Sequence, residues 1–180
     1  DERKQRVDFS AKYQNTPAPT QPAGRIDPDS VVPGQSVRVF EVTTTGYPYL
    51  VVTGIVRELV PVQEFVAASA DGGILAILPT LPLKEMTTYM AVLTNDIKDT
   101  QGNDATPDTF YHIAKSETPW VDANGNSTYA LFDDATAASA EGLRQIKATE
   151  IAAAVSVGIP KEDIILSWTA QTQSITPVLK

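Results

Sequence analysis

The segment DIKDTQGND places Asp96, Asp99, Gly102, Asn103 and Asp104 within nine positions. Carboxylate and amide oxygens at this density are what a hard cation such as calcium takes from a loop, and the same residue types also build turns by bonding their own backbone. A second oxygen-rich stretch, DANGNSTYALFDD, puts Asp122, Asn124 and Asn126 at alternate positions. It approaches the EF-hand pattern but departs from it. Gly125 stands fourth in the loop where that pattern needs glycine sixth, and no helix precedes it. Both loops are therefore read as turns whose Asp and Asn side chains satisfy local backbone. Calcium is the one cofactor they raise, and no residue is assigned as a metal ligand.

Other chemistries fail on residue type. A hydrolase elbow of the form Gly-x-Ser-x-Gly tolerates little bulk beside its serine. GQSVR carries Arg38 at the last position and GNSTY carries Tyr129, so both are rejected. His112 is the single histidine and lies in TFYHIAKS, which reads as a strand. It is taken as a partly buried strand residue with a hydrogen-bond partner, not as the base of a triad. With one histidine and no cysteine, zinc sites, thiol nucleophiles and disulfides fall away. No two acids stand in a recognisable context for paired-carboxylate catalysis. The chain is thus assigned no catalytic, cofactor-binding or metal residue. Of its two tryptophans, Trp168 sits in an alternating stretch and reads as core. Trp120, after Pro119 in a loop, is the better candidate for an exposed contact.

These groups must be carried by elements that the sequence marks clearly. The 180 residues are 42% hydrophobic, enough for the core of one domain, and the net charge of −8 with no Lys/Arg-rich face argues against nucleic acid as a partner. No apolar run reaches the length of a membrane span. The opening DERKQRVDF has no initiator Met and no signal peptide, so the chain is expected to be a piece of a longer one. Residues 11–30 are rich in Pro, Thr, Gln and Asp and read as an extended segment with at most one edge strand.

From VPGQ onward, SVRVFEVT, YLVVTGIVRELV, QEFVAAS, ILAILP, TTYMAVLTN and TFYHIAKS read as short strands separated by Pro/Gly turns. Gly54 marks a bulge or a close backbone approach. ILAILP reads as covered on both faces. In TTYMAVLTN, Tyr89, Ala91 and Leu93 point one way and Met90, Val92 and Thr94 the other. An Ala-rich helix over about 134–157 follows, capped by Asp133 or Asp134 and stopped by Gly158-Ile159-Pro160. Leu143, Ile146, Ala153 and Val157 share roughly one face, with Ile151 and Val155 beside them. DIILSWTAQT alternates again and should rejoin the sheet. The fold class is mainly β: an antiparallel sandwich with one inserted α-helix before the last strand. The domain spans 25–176, after an extended segment over 1–24 and before a linker from 177.

LPLKEMTTYMAVLTNDIKDTQGND resembles the signature of bacterial Ig-like domains, a Tyr-bearing strand followed by an IKDxxGN turn. More widely, IDPDSVVPGQSVRVFEV, TGIVREL, LRQIKATEIAAA and IILSWTAQTQSITPVL, in that order, resemble the N-terminal region of bacterial virulence-factor lipases over about residues 25–180. That resemblance implies an Ig-like, non-catalytic accessory domain of a secreted or surface-anchored lipase of a Gram-negative bacterium. A C-terminal α/β-hydrolase domain of the same polypeptide would be its partner, with a lipid or membrane surface nearby. It places no catalytic residue in this chain. The rival expectation is a stand-alone Ig-like adhesion module.

Overall fold

The computed structural model describes residues 24–46, 50–70 and 73–174. Its elements are β1 (Val37–Thr45), β2 (Val51–Glu58), β3 (Phe65–Ala70), β4 (Ile74–Pro79), β5 (Thr88–Thr94), α1 (Thr109–Ala114), α2 (Asp134–Ser156) and β6 (Ile164–Gln171). Four strands form one antiparallel sheet in the order β2-β1-β5-β6, and β3 pairs with β4 in a second. The fold is mainly β, two antiparallel sheets with one substantial helix, consistent with an Ig-like sandwich.

β5 organises the layers. All seven of its residues are buried, because its alternation feeds two separate cores. Tyr89, Ala91 and Leu93 join Val37, Val39, Leu59 and Phe65 under the β3–β4 hairpin. Met90 and Val92 join Phe40, Val42, Ile151, Ala154 and Ile164 under α2. Strand β6 returns after the helix and pairs with β5 from Thr88↔Gln171 to Thr94↔Ile164. Gly54 lies between two irregularities, since the β1–β2 register skips Val56 on one side of it and Thr53 on the other.

Helix α2 begins where the sequence places it. Asp133 accepts a hydrogen bond from the Thr136 amide at 2.7 Å, and the end is a Schellman arrangement in which Gly158 takes φ of 85° and the Ile159 amide bonds the Ala154 carbonyl.

Several expectations are corrected. TFYHIAKS is not a strand. Asp108 caps Thr109–Ala114 as a helix by accepting from the Tyr111 amide at 3.0 Å, so His112 is a partly buried helical residue. Trp120 is fully buried, stacked on Phe132 with ring centroids 5.1 Å apart in a satellite core with Ile113 and Ala137. Trp168 is 36% exposed, because the two-stranded hairpin is too narrow to cover β6. ILAILP is an outer-layer strand with Ile74 63% and Leu78 56% exposed, not a doubly covered one. The buried face of α2 runs through Ala137, Glu150, Ile151 and Ala154, while Leu143 and Val155 face solvent. The extended segment reaches the described residues as an isolated bridge between Ile26 and Asp99 and a 3-10 turn at Pro28–Ser30; residues 1–23 lie outside them, as does the tip of the TTGYP turn at 47–49.

Two turns share one design. VPGQSV (32–37) and VPVQEF (60–65) each bend at their third residue, Gly34 at φ 83° and Val62 at φ 68°. In each, that residue's amide donates across the turn at 2.8 Å, to Val37 and to Phe65. The turns also pack together, since a Cβ at Gly34 would come 2.5 Å from Pro61 Cγ. The left-handed backbone strains a β-branched residue. Gly34→Val should lower stability in urea unfolding by about 2 kcal/mol or more, adding a clash to the strain. Val62→Gly should change it by less than about 1 kcal/mol, because relieved strain offsets the greater unfolded-state freedom of glycine. A Gly34→Val protein as stable as the parent would contradict this account.

Candidate functional site

The acidic cluster from the opening stretch does not converge on one point. Asp99 turns back on its own loop. Its Oδ1 accepts from the amides of Gln101 and Asn103, each at 2.9 Å, and its Oδ2 from Asn103 Nδ2 at 2.8 Å. Asp104 instead pairs with Lys98. Asp96 lies in a shallow cleft of about 370 Å³ with Asp27, Asp29, Ser30, Gln35 and Lys98.

The second oxygen-rich loop repeats the same construction. Asp122 Oδ1 accepts from the amides of Asn124 and Asn126, both at 2.8 Å, and Oδ2 from Asn126 Nδ2 at 3.0 Å. Gly102 and Gly125 take φ of 85° and 81° at the matching position, where an L side chain would be strained. The amides of these glycines bond the carbonyls of Asp99 and Asp122 at 2.9 and 3.0 Å. One ladder rung flanks each loop, Lys98↔Asp104 and Val121↔Ser127. DTQGN and DANGN are thus two copies of one Asp-anchored turn. In both, donors from the Asn, side chain first and then backbone, hold the Asp carboxyl below its ordinary value. These oxygens point at amide donors, an arrangement that competes with cation ligation. Among the described residues no group of three or more His, Asp or Glu side chains is arranged to hold a metal ion.

The serines of the two rejected elbows are structural. Ser36 is buried, donates to the Ser30 carbonyl at 2.6 Å and accepts from the Val32 amide at 2.8 Å. Ser127 Oγ donates to the Tyr129 carbonyl at 2.8 Å.

One polar constellation has no counterpart in the sequence reading. Ser167 on β6 donates to Glu150 Oε2 on α2 at 2.6 Å, and the Tyr111 hydroxyl from α1 meets Ser167 Oγ at 2.8 Å. Lys147 Nζ lies 2.8 Å from Glu150 Oε2 and 2.9 Å from the Ser167 carbonyl. A serine bonded to a carboxylate suggests nucleophile chemistry, but both residues are only 1% exposed, too deeply buried to meet a substrate. Burial pushes the Tyr111 phenol up to about 12; the Ser167 hydroxyl opposes that shift and the Glu150 charge adds to it. The arrangement ties both helices to the sheet. Its one sequence signal is a Lys147/Glu150 pair, spaced i,i+3, within an otherwise Ala/Ile-rich helix face.

A second charged chain crosses the other layer. Lys84 bonds Glu41, Glu41 bonds Arg57 Nε, and Arg57 grips Glu64 bidentately at 2.7 and 2.9 Å. Arg57, helped by the Val60 amide, holds the Glu64 carboxyl down to about 2.

Residues 43–121 match the family model of the bacterial Ig-like domain. That Ig-like span runs from within β1 to just past Trp120, and so ends before α2 and β6. Comparisons with curated proteins and with solved structures find no significant match.

Asp99, Asp122 and Glu64 all have depressed folded-state values. Each therefore contributes stability above its unfolded value that is lost as pH falls through the folded one, for Glu64 between 4.5 and about 2. Thermal melts should show acid destabilisation across that range. Asp99→Ala and Asp122→Ala should each lower the parent Tm near neutrality and narrow the gap at acid pH. Calcium or chelator should leave the parent Tm unmoved; a rise with calcium that Asp99→Ala or Asp122→Ala abolishes would overturn the reading of these turns as self-satisfied.

Proposed function

We propose that this chain is a non-catalytic Ig-like module of a secreted or surface-anchored bacterial protein, an accessory domain to a lipid-ester hydrolase in the same polypeptide. The non-catalytic part is supported by three serines, the two of the rejected elbows and the one bonded to a carboxylate. Ser36 and Ser127 donate to backbone carbonyls and Ser167 to a sealed carboxylate, so none is poised to attack a substrate. The surface location is supported by the Ig-like match over 43–121. Among the described residues no helix is long and apolar enough to cross a membrane. The hydrolase partnership is supported by the resemblance of the ordered segments from IDPDSVVPGQ to IILSWTAQTQ to the N-terminal region of virulence-factor lipases. The module's role is positional: a layered, cross-braced body that holds the catalytic domain at its substrate surface.

The purified chain should not hydrolyse a short-chain nitrophenyl ester above a heat-treated control; saturable hydrolysis would refute the non-catalytic reading. The sequence of the full gene tests the partnership. A downstream domain carrying Gly-x-Ser-x-Gly supports it, while tandem Ig-like repeats or a cell-wall anchor would favour the adhesion module instead.

A further inference from the structure

The hairpin layer stops short of β6. In the β5–β6 ladder Leu166 stands opposite Leu93, Trp168 opposite Ala91 and Ala170 opposite Tyr89, and the two residues of each pair share a face. The three β5 residues are buried beneath the hairpin. Their β6 neighbours on the same rows are apolar and exposed, Leu166 by 38% and Trp168 by 36%. A strand adds about 4.8 Å of width to a layer, so the two strands of the hairpin leave this strip of β6 uncovered.

The start of the chain enters at one end of that strip. Ile26 pairs with Asp99 and packs against the hairpin-side core. The Thr100 amide bonds the Arg25 carbonyl at 2.9 Å, and Gly24 lies so close to Asp99 that a Cβ would not fit. The Asp99 loop follows β5 at the end of the sheet where β6 begins, since the Asn95 amide bonds the Asp163 carbonyl at 2.8 Å. Leu166 is the exposed row nearest to that end.

The 23 residues before Gly24 include RVDFSAKY, in which Val7, Phe9, Ala11 and Tyr13 alternate with Asp8, Ser10 and Lys12. One apolar and one polar row at a period of two is the pattern of a half-buried strand. Ten residues, QNTPAPTQPA, separate Tyr13 from Gly24. Extended and proline-rich, they reach roughly 30 Å, well beyond the ~13 Å from Leu166 to Ala170 along a strand.

We propose that residues 7–13 are a third strand of the hairpin layer, laid along β6 with Val7, Phe9 and Tyr13 over Leu166, Trp168 and Ala170. The chain's own segment is the occupant, in preference to a second copy, because its ten-residue tether holds it at an effective concentration on the order of millimolar. Asp8, Ser10 and Lys12 then form the solvent face. The sandwich is closed on that side by residues outside the Ig-like match at 43–121. The inference is independent of the hydrolase reading.

The chain has no cysteine, so Ser10→Cys can carry a single nitroxide on the polar row of the segment without touching the apolar one. In the full-length, isotope-labelled chain the amides of Leu166, Trp168 and Ala170 should lose most of their intensity and regain it when the label is reduced. Val7→Asp with Phe9→Asp should restore those signals in the labelled chain, and it alters none of the residues that build the two cores beside β6. Trp168→Ser should likewise restore Leu166 and Ala170, since Trp168 belongs to neither core. An absence of broadening along β6, or broadening that survives Val7→Asp with Phe9→Asp, would overturn the proposal. So would broadening of an isotope-labelled chain by a separate spin-labelled one, the mark of a second copy. Signals that stay sharp in the labelled chain but shift on adding phosphatidylcholine vesicles would assign the strip to a lipid surface and overturn it too.

Discussion

A strand buried on both faces can belong to only one arrangement of layers, and β5 is that strand. No residue from Thr88 to Thr94 keeps appreciable contact with solvent. Its alternate side chains therefore need two unrelated covers, the β3–β4 hairpin on one side and α2 on the other. Sliding β5 by one residue would exchange Tyr89, Ala91 and Leu93 with Met90, Val92 and Thr94 and spoil both cores at once. Register, strand order and the position of the helix are fixed together by that single requirement.

Polar groups then decide how the covers attach. An apolar helix face alone would let α2 slide over the sheet. The buried Glu150–Ser167–Tyr111 chain, with Lys147 closing it, removes that freedom, because any slip leaves a carboxylate unpaired in the interior. On the hairpin side, the Lys84–Glu41–Arg57–Glu64 chain plays the corresponding part nearer the surface. Solvent screens those charges, so their contribution is smaller and more dependent on salt. At the far end of the module, Glu141 accepts from the Trp120 amide at 2.8 Å and is gripped by Arg144, which anchors the satellite core to the start of α2.

Much of this was legible in the sequence where a signal was local and strong. The two-sided alternation of TTYMAVLTN, the helix bounded by Asp133 and Gly158, the return of DIILSWTAQT to the sheet and the turn at Gly102 all follow from periodicity or from one residue's backbone preference. Errors came where tertiary context overrode those signals. TFYHIA is rich in strand formers and too short for helical periodicity to show, yet Asp108 caps it as a helix. Trp120 reads as exposed because its loop hides the aromatic partners that bury it, Tyr129 and Phe132, nine and twelve residues on. Trp168 departs from its alternating pattern because alternation shows which side a residue faces, not how wide the opposing layer is, and ILAILP because a continuous apolar run does not say whether its strand lies inside or in an outer layer. The face of α2 was blurred by Lys147 and Glu150, whose burial depends on Ser167 twenty and seventeen residues away.

The central claim is that α2 is an integral layer of this module, although the Ig-like match ends before it. Native-state amide hydrogen exchange tests that claim most directly. If α2 belongs to the same cooperative unit, the amides of Tyr89–Leu93 and those of Ile151 and Ala154 should exchange only through one global opening, with a common dependence on denaturant. Exchange of the α2 amides through a separate, lower-energy opening while β5 stays protected would show the helix to be an appendage and contradict the account.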